Sequence, residues 1–357
     1  MSSFVPKYEK IANDLRDKII SGEYPYNTII PTEHQLMRKW NVSRHTVRKS
    51  LQILTDENLV YAIKGSGTYV NYNTNKESIS KNENIKIGVI TTYISEYIFP
   101  SIIRGIENTL KKNNATLILS STNNDYKNER DSIENLLFNG VRGLIIEPTK
   151  SNLLNPNLDY YLKLKKLNIP YVFINARYDL LDDPYVILDD FNAGFTTTSH
   201  LIGLNHYNIA IIAKYDDMQG KQRLKGYLSA IEENSLYNTF IYTYVTGEED
   251  KITREFIKDL KKNNISAVVC YNDNIASLVY KYSNANNIKI PDDLSMVSVD
   301  NSMISENLNI TSYNHPKSKL GVKSAEILLD MIYNKPDNYK NYCFEGTLII
   351  RDSTKSI

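Results

Sequence analysis

From residue 85 onward, short and mostly apolar runs alternate with longer stretches of helical period, and this alternation constrains the fold more than any other feature. The runs lie at 85–90, 116–119, 143–146, 170–174, 209–212, 267–270 and 294–299, and the amphipathic stretches at 102–112, 129–137, 223–232, 254–262 and 275–284. A strand with no polar side can face water on neither side, so its sheet must be covered twice, as parallel sheets fed by helical crossovers are. Seven such strands in one core would exceed the size at which a single hydrophobic core stops growing. The sequence therefore predicts an α/β body of two lobes, each built on a parallel sheet.

Ahead of this body, residues 71–84 are polar and almost without apolar side chains. Such a segment buries too little surface to offset the entropy of ordering it. It divides the 357-residue chain into a head (1–71), a linker (72–84) and a body (85–357). Apolar residues make up 41% and charged residues 23%, as in an ordinary globular protein. The formal net charge is +1, but residues 1–73 hold ten Lys and Arg against seven Asp and Glu, a mild basic bias confined to the head. The first residues contain no signal-peptide core and no later run approaches a membrane span. The two cysteines, Cys270 and Cys343, are far apart and lack metal-ligand spacing, so neither a disulfide framework nor a metal centre is expected, and a cytoplasmic location fits.

The head reads as a winged helix-turn-helix. Tyr8, Ile11, Leu15 and Ile19 form one stripe of a first helix. Thr32 and Gln35 have the spacing of a capping box, opening a second helix that buries Leu36, Met37 and Trp40. Ser43 caps a third, whose inward stripe of Val47, Leu51 and Leu54 leaves Arg44, His45, Arg48, Lys49 and Gln52 on other faces. A charged helix face is usually no more than solvated. Here a capped helix, a tight turn, a basic helix and a hairpin with Lys64, Gly65, Ser66 and Gly67 at its tip follow one another, an order suited to a helix entering the major groove. Arg44 and Arg48 match paired donation to guanine O6 and N7; Lys49 suits phosphate. The tip glycines allow close backbone approach to a phosphate or the minor groove.

Pro31-Thr32-Glu33, the run from Ser43 to Lys49, and the run from Gly65 to Val70 resemble the DNA-binding domain of the GntR family. The resemblance implies DNA contacts at Arg44, Thr46, Arg48, the wing glycines and a position near Arg38, with His45 at a base-reading position that varies among members. The candidate DNA-binding set is therefore Arg38, Ser43, Arg44, His45, Thr46, Arg48, Lys49, Lys64, Gly65, Ser66 and Gly67.

In open parallel sheets ligands sit beyond the carboxyl ends of the strands. Polar and aromatic residues cluster there: Thr91, Thr92 and Tyr93; Glu147; Asn175 and Arg177; Lys214, Asp216 and Asp217; Tyr271, Asn272 and Asp273; and Asp300, with Tyr97 and Phe99 nearby. Any one of these is as readily a helix cap or turn former. Together they suit a sugar, whose hydroxyls need groups that accept and donate and whose C–H face packs on aromatic rings. There is no phosphate loop or nucleophile elbow, and His200, His206 and His315 have no obvious nucleophile partner, so no catalytic residues are expected.

Residues 85–351 resemble the LacI-type effector domain, which is similar to periplasmic sugar-binding proteins. The resemblance rests on Val269–Asp273, Arg223-Leu224-Lys225-Gly226-Tyr227 and Ser295–Asp300. It implies ligand contacts at Arg223, Asn272, Asp300 and Asn175, where Asp is frequent in the family. The candidate set is Tyr93, Tyr97, Phe99, Glu147, Asn175, Arg177, Asp216, Arg223, Tyr271, Asn272, Asp300 and His315. A GntR-type head on a LacI-type body, together with runs such as Thr91-Thr92-Tyr93-Ile94-Ser95 and His315-Pro316-Lys317-Ser318, resembles the family of arabinose-responsive repressors. That resemblance implies L-arabinose as effector and repression of genes for its uptake and use. A homodimer paired through the bodies would present two heads to a near-palindromic double-stranded operator, and neither another cofactor nor a membrane is expected. The residues alone also admit the same architecture answering another sugar or small metabolite.

Overall fold

The computed structural model describes residues 6–26, 28–57, 59–63, 66–71, 84–94, 98–236, 238–334 and 341–357. In the head, α1 (Lys7–Ile20), α2 (Glu33–Trp40) and α3 (Arg44–Asp56) precede the hairpin β1 (Val60–Ile63) and β2 (Gly67–Val70). Pro6, which cannot donate, stands just before α1, where no backbone donor is needed. The Thr32 and Gln35 capping box is formed in both directions, and Ser43 Oγ accepts from Thr46 N. Ile11, Leu15, Ile19, Leu36, Val47, Leu54 and Val70 close a small core. Met37 and Trp40 only flank it, because α2 is eight residues long and turns a single narrow stripe inward. β1 and β2 pair antiparallel from Val60↔Val70 to Ile63↔Gly67. Gly67 has φ +144°, a conformation in which any side chain would be strained. Lys64 and Gly65 lie outside the described residues.

The first lobe opens with β3 (Ile85–Thr91), α4 (Phe99–Lys112), β4 (Ala115–Ser121) and α5 (Tyr126–Phe138). It continues through β5 (Gly143–Ile146), α6 (Leu158–Lys166), β6 (Tyr171–Ile174) and β7 (Tyr185–Leu188). The second contains α7 (Asp190–Gly203), β8 (Ile209–Lys214), α8 (Met218–Glu233), β9 (Phe240–Tyr244) and α9 (Glu249–Asp259). β10 (Ala267–Cys270), α10 (Asp273–Ala285), β11 (Ser295–Asp300), α11 (Met303–Asn307) and β12 (Thr311–Asn314) follow. The chain then returns to the first lobe with α12 (Lys317–Tyr333) and β13 (Tyr342–Phe344), and ends in the second with β14 (Leu348–Ile349). It thus crosses between lobes three times, near residues 189, 315 and 346.

The first sheet has the order β13-β7-β6-β5-β3-β4 and is parallel throughout. The second has the order β14-β12-β11-β10-β8-β9, parallel except for β14, which runs against β12. Each lobe carries its first strand inside the sheet, so strand order reverses between β3 and β5 and between β8 and β10, and these two switch points face each other. Most of the strands read from sequence are buried along their length, β5, β6, β10 and β11 exposing no residue, whereas the edge strand β4 is only half-buried. β7, β9, β12, β13 and β14 were not among the runs read from sequence: β7 and the edge strand β9 alternate in burial, and β12, β13 and β14 are short.

α7 was equally illegible, since its β-branched threonines and polar residues show no stripe. It is held by close approach to α8: a Cβ on Gly194 would lie 2.0 Å from Arg223 O, and one on Gly226 2.1 Å from Phe191 O. That crossing places the start of α7 beside Arg223.

Candidate functional site

Where the two switch points meet, a cavity of about 440 Å³ is lined from both lobes. The second lobe supplies a charged floor. Arg223, buried on α8, donates through Nε to Asp190 Oδ1 at 2.8 Å and through Nη1 to Tyr271 O at 2.6 Å, and its Nη2 stands 3.6 Å from Asp300 Oδ1. The Tyr271 ring lies 4.8 Å from the guanidinium, and its hydroxyl donates to Asp217 Oδ2 at 2.6 Å. Lys214 Nζ approaches Asp217 at 3.2 Å. Burial raises the Asp190 carboxyl to about 6, and Arg223 opposes that rise.

The first lobe supplies Glu147, at the end of β5, which accepts from Thr92 N at 2.7 Å, Thr92 Oγ1 at 2.6 Å and Asn175 Nδ2 at 3.0 Å. Burial pushes this carboxyl upward. Tyr93 and Phe99, with ring centres 6.3 Å apart, add an apolar wall. Three buried polar atoms on residues lining the cavity have no partner: Asn175 Oδ1, Gln219 Oε1 and His315 Nδ1. Burial, reinforced by Lys317 and Arg223, drives His315 down to about 3, so the ring is neutral and offers one donor and one acceptor. Orphaned groups of this kind are rare in folded interiors and call for a ligand that both donates and accepts.

The sequence-derived residues Tyr93, Phe99, Glu147, Asn175, Arg223, Tyr271, Asn272, Asp300 and His315 all line this cavity. Asn272 also caps α10 through Ile275 N, so its structural and site positions coincide. Arg177 is placed elsewhere, stacked 4.7 Å above the Tyr185 ring. Asp216 sits behind the wall, where it accepts from Thr246 Oγ1 at 2.8 Å and, across the lobes, from Asn124 Nδ2 at 3.4 Å. Tyr97 is outside the described residues. Asp190, Lys214, Asp217 and Gln219 also line the cavity without having been among the candidates. Asp190 was missed because it follows β7, a strand not among the runs read from sequence.

On the head, Arg44, His45, Arg48 and Lys49 are exposed on α3 opposite its buried stripe, Thr46 is half-buried beside the Ser43 cap, and Arg38 is exposed on α2. Ser66 and Gly67 stand at the described edge of the wing, with Ser66 Oγ 2.6 Å from Tyr69 OH. Lys49 Nζ rests 3.8 Å above the Tyr8 ring.

The gntR family of bacterial regulatory proteins matches residues 7–70, and the periplasmic binding protein-like domain matches residues 198–354. The arabinose metabolism transcriptional repressor of Geobacillus stearothermophilus is 40% identical over 362 residues, 99% of this chain and 99% of its own. That of Halalkalibacterium halodurans is 37% identical over 361 residues, 98% of this chain and 96% of its own. The chain belongs to the family of arabinose metabolism transcriptional repressors. A LacI family transcriptional regulator from Enterococcus faecium, solved with bound ribose, superposes with a TM-score of 0.67 at 23% identity, covering 76% of this chain and 99% of that one. CcpA of Lactococcus lactis gives 0.68 at 22%, covering 76% of this chain and 100% of its own. Both share the fold of the two-lobed body. Among the described residues no helix is long and apolar enough to cross a membrane.

As a member of this repressor family the chain is a DNA-binding regulator and not an enzyme, and one further residue of its head bears on that role. Glu33, at the start of α2, accepts from Arg44 Nε at 2.6 Å and from Arg48 Nε at 3.0 Å, which lowers its own pKa. The carboxylate thus holds both arginines together on the exposed face. Glu33→Ala should change head stability by less than about 1 kcal/mol, because all three groups are solvent-accessible. It should raise affinity for random duplex and narrow the ratio of operator to random binding about fivefold, as a repelling charge is lost and both side chains are freed. Fluorescence anisotropy with paired duplexes measures this; an unchanged ratio would remove Glu33 from recognition.

Proposed function

We propose that this protein represses genes for L-arabinose use in the cytoplasm and leaves its operator when L-arabinose fills the interlobe cavity. The division 1–71, 72–84 and 85–357 assigns DNA binding to the head and sugar binding and pairing to the body. Two chains pair through their bodies and present two heads to a near-palindromic site, so that protein symmetry mirrors operator symmetry. The recognition helix reads bases through Arg44, His45 and Arg48, while Ser43, Thr46, Lys49, Arg38 and the wing from Lys64 to Gly67 hold the backbone. Arg223, Asp300, Asn272, Asn175, Glu147 and His315 bind hydroxyls, and Tyr93, Phe99 and Tyr271 meet the C–H face; Tyr97, Arg177 and Asp216 complete the candidate set, the last two from beyond the cavity wall. No cofactor besides the sugar is needed.

The observation that carries this reading is the cavity itself: charged and amide groups from two lobes, with three unpartnered polar atoms, fused to a head whose basic helix face is exposed. Sugar stabilises one lobe arrangement, and only its differential affinity for the two arrangements can shift DNA binding. In a gel-shift titration, saturating L-arabinose should weaken operator affinity about 5–150-fold, the usual span of such coupling. Unchanged affinity would refute induction by this sugar, and a panel of pentoses and hexoses then shows whether another ligand raises the melting temperature.

A further inference from the structure

At the second lobe crossing a lysine reaches back across the hinge. Lys317 opens α12, which packs in the first lobe, yet its ammonium donates to main-chain carbonyls at the end of β11 in the second. The acceptors are Asp300 O, Asn301 O at 3.1 Å and, on its own segment, His315 O at 3.3 Å. The backbone it grips is unusual. Asp300 has φ +109° and Asn301 +47°, and the former lies outside the left-handed region that side-chain-bearing residues normally visit. Such a conformation persists only where surrounding contacts impose it. Asn301 is fixed by its own N–H donating to Ser312 Oγ at 2.9 Å and by Arg351 Nη2 donating to its Oδ1 at 2.6 Å. The Asp300 carbonyl accepts from Lys317 and, at 3.4 Å, from His315 N. Lys317 is the charged one of this pair, and a charge-assisted bond is the stronger kind. The side chain of Asp300 lines the cavity beside Arg223.

We propose that Lys317 is a positioning residue for sugar recognition: its ammonium locks the left-handed turn that aims the Asp300 carboxylate into the cavity, and ties that aim to the angle between the lobes. The inference rests on the cavity being the sugar site. Lys317 itself need not touch the sugar. Its bonds run from a first-lobe helix to a second-lobe strand end, so a change of lobe angle stretches or relaxes the grip on Asp300. Closure and carboxylate orientation therefore change together.

The test uses the full chain with K317M, which keeps the aliphatic length, and K317R, which keeps charge and donors. Calorimetry with L-arabinose should show K317M weakened about tenfold or more, the scale of a lost charge-assisted bond. K317R should stay within about threefold of the parent, and operator affinity without sugar should stay within about twofold for both. The sugar concentration that releases the operator should rise by the same factor as the dissociation constant. A folded K317M with a lower melting temperature but unchanged sugar affinity would show a merely structural lysine and overturn the proposal. Equal losses in K317R and K317M would do the same, since charge and donors would not be the cause. Should K317M not fold, K317Q, with an amide donor in place of the ammonium, takes its place under the same criteria. Absence of sugar binding in the unsubstituted protein would overturn the cavity reading and the clamp with it, whereas normal binding there with unaltered variants overturns the clamp alone.

Discussion

Arg223→Ala should abolish measurable sugar binding and cost the body about 3–5 kcal/mol, the usual penalty for stranding a buried charge. Asp190 and Asp300 are 6% and 2% exposed, and Arg223 lies between them. Removing it leaves two buried carboxyls facing each other without the guanidinium between them, removes a donor to Tyr271 O and strips the ring of Tyr271 of the guanidinium beside it. R223K should recover only part of the loss, because one ammonium cannot reproduce the planar fork that serves a carboxylate and a carbonyl at once. The titration of Asp190 adds a signature. Its folded carboxyl sits at about 6, above the ordinary 3.8, so its contribution to stability is complete below the unfolded value and is lost as pH rises through about 6. Without Arg223 that upper limit should move higher still. Denaturant unfolding across pH 4–8, with calorimetry at pH 7.5, measures both effects. A variant that binds L-arabinose with parental affinity would remove Arg223 from the site.

Arg48→Ala should weaken operator binding by about 1–3 kcal/mol, roughly five- to 150-fold, and relax preference at one base pair, as expected for a lost bidentate guanine contact. The side chain is 61% exposed on α3 and carries no core contact, so the fold should survive. Lys49→Ala provides the contrast. Its ammonium is braced over Tyr8 on the same exposed face, and its loss should weaken all duplexes alike and lower the salt slope by about one. Sugar affinity should be unchanged in both. Quantitative binding to single-base operator variants at two salt concentrations separates the effects. Uniform weakening by Arg48→Ala across all variants would reassign it to phosphate.

Much of the head was legible from its residues because its signals are local. A capping box spans four residues, and the buried stripe of α3 falls at fixed intervals that leave Arg44, His45, Arg48 and Lys49 outside. The strands that are buried end to end could be read for the same reason. What escaped was structure stabilised from a distance. β7, β13 and β14 are placed by pairing with neighbours remote in sequence, and α7 by glycine-mediated contact with α8. The cavity shows the same division. Strand ends announced Glu147, Asn175, Asn272 and Asp300, but Asp190 entered only when α7 and α8 met, and Arg177 and Asp216 turned to other partners.

Residue order alone determined that this chain has a DNA-reading head and a body of two parallel sheets, because helical and strand periods are properties of neighbouring residues. Only the tertiary structure decided which charges share one cavity, that Glu33 holds Arg44 and Arg48 together, and that Lys317 grips the turn at Asp300. Three passages between the lobes bring residues more than a hundred positions apart into contact, as Asn124 and Thr246 are, and no local period records such a meeting.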